Sequence, residues 1–474
     1  MKNKLLIIVG FLLFAAIPLS SRAASIMETY AHGLELGAEG RFKEAASELK
    51  LVKRAEKRYM PARSALKVLK DRRRAKIKEE TAIHIFTGLK NLFSERYDEA
   101  GADFDSAIIL EPDYALSYYF RGSVYIKKED YELAAFDFTK AIELDSRLAV
   151  AYNGRGLAYY KRERFEEAIA DQTRALKIDR KLVSAYNDRG LALRKKGNIK
   201  EAIEDFTSAL KLLPNASSAY CNRALAFELD GSFELAVKDL TKAIELNPFH
   251  ADAYISRGRQ HFAEEDWEEA ISDFSMGLRL EPENTDALVR RGNAYLNSAQ
   301  YDRALKDLSK AVQISPGIAL AYVNRGLVYS AMGKYSEAIV DYSKGISIDS
   351  ENATIYYYRA LVHYDLKEYD RAVLDYTRAI KRTDDNSEYY FKRGVAYSKR
   401  GDYGLALADF STVIKVRPDD AEGYNNRGYV YMAHLQKFDL ACRDWKKACE
   451  LGNCVNYDMA ETQGYCKTKR ELLN

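Results

Sequence analysis

Residues Ala151–Tyr160 read AYNGRGLAYY, and the Arg155-Gly156 pair inside that stretch recurs at a fixed interval. It returns at Arg121-Gly122, Arg189-Gly190, Arg257-Gly258, Arg291-Gly292, Arg325-Gly326, Arg393-Gly394 and Arg427-Gly428, with Arg223-Ala224 and Arg359-Ala360 filling the gaps. Successive members are 34 residues apart. A constant period along a 474-residue chain overrides the usual expectation of several globular domains and points to one array of stacked units.

With the small residue after Arg as the eighth position of a unit, Tyr occupies position 4 in most units (Tyr118, Tyr152, Tyr186, Tyr220, Tyr254, Tyr322, Tyr356, Tyr390 and Tyr424), and Tyr or Phe usually occupies position 11 (Tyr125, Tyr159, Phe227). Positions 4, 8 and 11 share one helical face. A second run places Ala at position 20, an apolar residue at 24 and usually Ala at 27, as in Ala202, Phe206 and Ala209. Turn signals such as Gly197-Asn198 separate the two runs, and Pro214, Pro248, Pro282, Pro316 and Pro418 follow the second. Each unit is therefore a helical hairpin whose apolar stripe is buried only when neighbours stack.

This pattern resembles the tetratricopeptide repeat family, with copies beginning at Thr81, Ala115, Ala149, Val183, Ser217, Ala251, Thr285, Ala319, Ala353, Ser387 and Ala421. The resemblance implies an all-α fold, a right-handed α-solenoid of stacked hairpins. The expected organisation is a signal peptide over 1–23, an atypical repeat over 24–59 and a basic helical insert over 60–80. An array of eleven repeats over 81–454 and a C-terminal capping helix over 455–474 complete it.

Arg at position 7 departs from the family, which usually has Leu there. Asp recurs at position 23 from Asp103 to Asp409, with Asp444 displaced by one residue. The reading is a structural ladder: Arg121, Arg155, Arg189, Arg223, Arg257, Arg291, Arg325, Arg359, Arg393 and Arg427 lay their stems on the apolar seam and give their planar forks to Asp carboxylates. Counting leaves open whether each Asp lies in the same hairpin or the neighbouring one. Solvated charges on an outer face are the plainer alternative.

Lys2 and Lys4 precede an apolar run from Leu5 to Ile17, and small residues flank a junction after Ala23. That is the layout of a secretory signal peptide. Export to a periplasmic or extracellular location is expected, with association to a membrane through an uncleaved anchor as the alternative. The whole chain carries 73 Lys or Arg and 70 Asp or Glu, a balance that gives no support for nucleic-acid binding. Arg41 to Glu80 is locally basic, with 15 Lys or Arg against six Asp or Glu. Within it Arg72, Arg73 and Arg74 read either as the solvated side of an inserted helix or as a contact for an anionic membrane surface or acidic partner.

Cys442, Cys449, Cys454 and Cys466 crowd the C-terminus, where an exported array lacking its next neighbour gains from disulfides. Cys442 and Cys449 lie about 10.5 Å apart along one helix, too far to bond each other. A zinc site is the rival, but no CxxC spacing supports it. His261 and His363 fall at position 11 as core fillers. No catalytic motif and no cofactor-binding loop is present, so no enzyme, metal or cofactor is expected.

By the resemblance, positions 2, 5, 9, 12 and 13 of the first helices point into a concave groove. They give a basic stripe of Lys127, Lys161 and Lys195 with Arg194 beside it, and an aromatic patch including Tyr357, Tyr364 and Phe391. The resulting expectation is a non-enzymatic scaffold that binds a protein or peptide in its groove. The alternative is a chaperone-like subunit holding a glycan or nascent polymer for an envelope enzyme.

Overall fold

Tyr, Gly, Ala and Phe at their fixed positions produce a chain of paired helices. The computed structural model describes residues 21–56, 59–383 and 386–466. The expected signal peptide lies almost wholly outside them. Every regular element among the described residues is helical, and no helix there is long and apolar enough to cross a membrane. The series opens with α1 (Ser21–Ala38), α2 (Phe42–Ala55), α3 (Met60–Arg73), α4 (Glu79–Phe93), α5 (Tyr97–Leu110), α6 (Ala115–Lys127), α7 (Tyr131–Leu144) and α8 (Ala149–Lys161). It continues through α9 (Phe165–Ile178), α10 (Val183–Lys196) and α11 (Ile199–Leu212) in the same alternation, to the short helix Val455–Thr462. Two compact units divide the chain, one ending at Asp266 and taking in Arg279–Glu281, the other made of Trp267–Leu278 and the residues from Pro282 on.

Close helix approach explains the small residues. A Cβ on Gly190 would stand 2.7 Å from the Phe206 ring, one on Gly326 2.7 Å from Tyr342, and one on Gly394 2.9 Å from Phe410. Position 8 thus receives the side chain from position 24 of its own hairpin. The alanines at positions 20 and 27, such as Ala202, Ala209, Ala304 and Ala311, are fully buried at the same seam. Each hairpin turns through a residue with left-handed backbone: Glu95, Glu129, Glu163, Gly197, Gly231, Glu265, Ala299, Gly333, Lys367 and Gly401. In the last hairpin Gln436 takes this role one residue late, and the longer turn is why Asp444 is displaced.

One hairpin breaks the pattern at its centre. Gln172 replaces the large apolar residue of position 24, is fully buried, and neither of its amide atoms has a hydrogen-bond partner.

The arginine ladder holds each hairpin to itself and to the one before. Arg189 donates from Nε and Nη2 to the two carboxylate oxygens of Asp205, both at 2.7 Å, and from Nη1 to Thr173 Oγ1 at 3.0 Å. The same bidentate fork joins Arg121 to Asp137, Arg155 to Asp171 and Arg223 to Asp239 in the first unit. In the second unit it joins Arg291 to Asp307, Arg325 to Asp341, Arg359 to Asp375, Arg393 to Asp409 and Arg427 to Asp444. The Asp therefore belongs to the same hairpin. The third nitrogen reaches a hydroxyl sixteen residues earlier, as in Arg155 to Thr139, Arg257 to Thr241 and Arg359 to Ser343. These carboxylates are buried, which excludes the reading as outer solvated charges.

Cys442 bonds Cys466 and Cys449 bonds Cys454, so both disulfides lie around the last hairpin and the short terminal helix. Cys449, Cys454 and Asp458 stand close enough together to suggest metal ligation, but the disulfide uses both sulfurs. Cys221 is a buried free thiol. His363 is buried too, with its Nδ1 2.7 Å from Glu368 Oε2.

Candidate functional site

In the first unit, the helical registers of α4, α6 and α8 bring residues of one face to a common depression. Leu89, Leu92 and Phe93 come from α4, Tyr119, Phe120, Ser123, Ile126 and Lys127 from α6, and Val150, Asn153, Gly154 and Leu157 from α8. These are positions 2, 5, 6, 9, 12 and 13 of three consecutive repeats. Tyr30 of α1, Met60, Pro61 and Ser64 of α3, Phe138 of α7 and Ser184 of α10 complete the lining of a space of about 250 Å³.

The inserted helix reaches this place because its apolar side is buried in the array. Ala62, Ala65 and Val68 are fully buried, Tyr114 donates from its hydroxyl to Asp71 Oδ2 at 3.2 Å, and Lys67 donates to Asp145 Oδ2 at 3.2 Å. Arg72 lies 4.1 Å over the Phe42 ring and pairs with Glu79 at 2.8 Å. Of the expected basic triplet, Arg72 is thus committed to internal contacts, while Arg73 and Arg74 are exposed.

Beside the depression runs a largely buried line of amides that the sequence reading missed. Asn153 donates to Asp188 Oδ2 at 2.9 Å and to Ser184 Oγ at 3.4 Å, Asn187 donates to Asp188 Oδ1 at 3.4 Å, and Asn222 donates to Asn187 Oδ1 at 2.8 Å. Three first helices are linked in this way. The signal for it was present, since Asn153 and Asn187 both occupy position 5 and Asn222 position 6. Asn153 Oδ1 is buried without a hydrogen-bond partner.

Burial pushes the Asp188 carboxyl up to about 6, against the opposing pull of the Asn153 and Asn187 amides. An unfolded Asp titrates near about 3.9. Between those values the folded chain holds a proton that the unfolded chain releases, so this group's contribution to stability falls as pH rises from about 4 to about 6. Asp188→Asn is expected to remove that slope, while its own NH2 replaces one of the two oxygens that accept from Asn153 and Asn187. Urea unfolding from pH 4 to pH 8 measures it, and an unchanged slope would sink this assignment.

The expected basic stripe is uneven. Lys161 and Lys195 are exposed, whereas Lys127 is half-buried in the wall of the depression. Burial pushes its ammonium down in pKa, with Glu95 acting in the opposite direction. Arg194 is half-buried, and its Nε has no hydrogen-bond partner.

The aromatic residues of the second unit have their own ring neighbours. Tyr357 stacks on Tyr389 at 4.9 Å and donates to Glu388 Oε1 at 3.4 Å, while burial pushes its hydroxyl up to about 12. Tyr364 meets Tyr369 at 5.5 Å and Phe391 meets Phe410 at 5.9 Å. Tyr357 and Tyr364 pack on one buried cluster and Phe391 on another, so all three are half-buried and contribute to the fold.

Comparisons with known proteins find the repeat itself. Models described as TPR repeat match residues 156–197, 329–367 and 396–434. Models described as tetratricopeptide repeat match 115–147, 183–216, 230–284, 285–318 and 353–386. Together they match more than half of the chain. No curated protein matches. Among solved structures, yeast Tom70 is 17% identical over 83% of this chain and 98% of its own, with a TM-score of 0.40. The Cut9 and Hcn1 hetero-tetramer structure of APC/C is 15% identical over 89% of this chain and 92% of its own, at 0.41. YrrB, titled a TPR protein with an unusual peptide-binding site, is 28% identical over 40% of this chain and 96% of its own, at 0.34. With the 34-residue register, the paired helices and these family matches in agreement, the chain belongs to the tetratricopeptide repeat proteins.

Proposed function

We propose that this protein is an exported, non-enzymatic scaffold that holds a polypeptide partner on the faces of its first helices. The observation that carries the reading is the depression in the first unit. Residues from one set of repeat positions on the first helices of three successive repeats line it together, and Asn153 in its wall keeps an amide oxygen that accepts no hydrogen bond within the chain. Export rests on the apolar N-terminal run with its junction after Ala23, and it is supported by the two disulfides, which persist in oxidising compartments. The location is then periplasmic or extracellular.

Holding a glycan finds less support. Of the position-4 tyrosines, Tyr118, Tyr152, Tyr254, Tyr322 and Tyr356 are buried and offer no open stacking face, and Tyr186, Tyr220, Tyr390 and Tyr424 are half-buried.

Crosslinking in the native compartment identifies a partner. Against that purified partner, the double variant Lys161→Ala, Lys195→Ala is expected to fold normally, since exposed substitutions usually change stability within about 0.5 kcal/mol. It is expected to bind more weakly and with a flatter salt dependence. Wild-type affinity and salt slope in a variant that folds would remove the basic stripe from the binding surface. N-terminal sequencing of the native protein is expected to begin at Ala24.

A further inference from the structure

The depression of the first unit has features that select a ligand more narrowly than a groove does. Met60, Pro61 and Ser64 of α3 provide a wall that lies outside the 34-residue frame, so the repeat alone does not build this pocket. Its volume of about 250 Å³ exceeds the ~150 Å³ apolar cavity that accepts a benzene ring. Most of the lining is apolar, from Tyr30, Leu89, Phe93, Tyr119, Ile126 and Leu157. A sugar would leave most of its hydroxyls unpaired there.

Two polar groups give direction to that apolar space. Lys127 is the one Lys, Arg, Asp, Glu or His in the lining, and it is partly withdrawn from water. A carboxylate brought beside it acts as Glu95 does, favouring the charged ammonium. Asn153 spends its amide hydrogens on Asp188 and Ser184 while its buried Oδ1 accepts nothing, and a peptide N–H is a matching donor.

We propose that this pocket anchors one bulky apolar side chain of a peptide, with a carboxylate on the adjacent residue meeting Lys127. The assignment rests on the peptide-binding reading above and names the residue class that the peptide must carry.

The test uses the full mature chain and fluorescein-labelled nonapeptides of Gly and Ser that carry one central Phe followed by Asp, Asn or Lys, read by fluorescence anisotropy. The Asp peptide is expected to bind about tenfold more tightly than the Asn peptide, and the Lys peptide most weakly. Lys127→Met should abolish the difference between Asp and Asn, whereas Lys161→Met, one repeat on, should keep it. Ser123→Phe, which fills the pocket, and Leu157→Gln, which makes its wall polar, should each weaken the Asp peptide by about tenfold or more. Unfolding curves on both identify the variant that folds.

Equal binding of the Asp and Asn peptides overturns the carboxylate. Peptide binding unchanged in a folded Ser123→Phe or Leu157→Gln protein overturns the anchor site and leaves the broader groove reading standing. No binding of any peptide to the wild-type chain overturns the anchor, and a captured polypeptide partner would then show whether the groove reading survives it.

Discussion

Asp205→Ala is expected to destabilise its hairpin by about 3–5 kcal/mol, the usual cost of leaving a buried charge without its partner. Asp205 is 5% exposed and accepts two bonds from Arg189. Burial pushes its carboxyl up in pKa despite the guanidinium, so dehydrating the pair costs energy that the attraction does not fully return. The ladder's value therefore lies in what each group suffers when left alone, and in the geometry that the fork imposes. A double-mutant cycle of Arg189 with Asp205 is expected to give a coupling of about 1–2 kcal/mol. The same cycle with Asp171, which belongs to the preceding hairpin, is expected to give none. Hydrogen exchange on α10 and α11 localises the loss, because repeats lose stability chiefly with their immediate neighbours. A coupling to Asp205 within error would reduce the ladder to decoration.

Gln172→Leu is expected to act in the opposite direction and stabilise its hairpin by about 3 kcal/mol. Removing a buried amide that lacks partners relieves about 1–3 kcal/mol, and burying an apolar side chain instead adds about 1.5–3 kcal/mol, less what the fit costs. Leucine already fills the equivalent place as Leu240 and Leu308, both buried. A Cβ on Gly292 would stand 2.7 Å from Leu308, which shows that a hairpin can close on Leu with Gly opposite, as Gly156 stands opposite Gln172. Chemical unfolding compared with wild type measures the gain. A loss of stability would mean that Gln172 holds a hydrogen-bonded partner such as a buried water.

The hairpins were readable because Tyr152, Gly156, Ala168 and Ala175 recur at one interval, and small residues at a helix crossing have a single physical meaning. The ladder was readable in its members but not in its pairing, since Arg189 precedes Asp205 and follows Asp171 in the same repeating frame. Its third contact, to Thr173, was visible as a run of hydroxyls at position 25 yet required the neighbouring helix to be placed. Positions carried over from the family led to Lys127, which the pocket contains, and to Tyr357, which stacks on Tyr389 and is partly a core residue. The pocket itself could not be read. Tyr30 and Met60 lie outside the regular frame, and only the packing of α1 and α3 brings them to α4, α6 and α8. Gln172 was passed over because a periodic reading follows the residues that repeat.

The most direct test of function is photocrosslinking from single positions in the native compartment. A photoreactive amino acid at Leu157 or Lys161, on the first-helix face, is expected to capture a polypeptide. The same residue at Phe136, which is 67% exposed on the second helix α7, is expected to capture none. Capture from Phe136 with nothing from Leu157 and Lys161 would contradict a groove-bound partner and move the interaction to the opposite side of the hairpins.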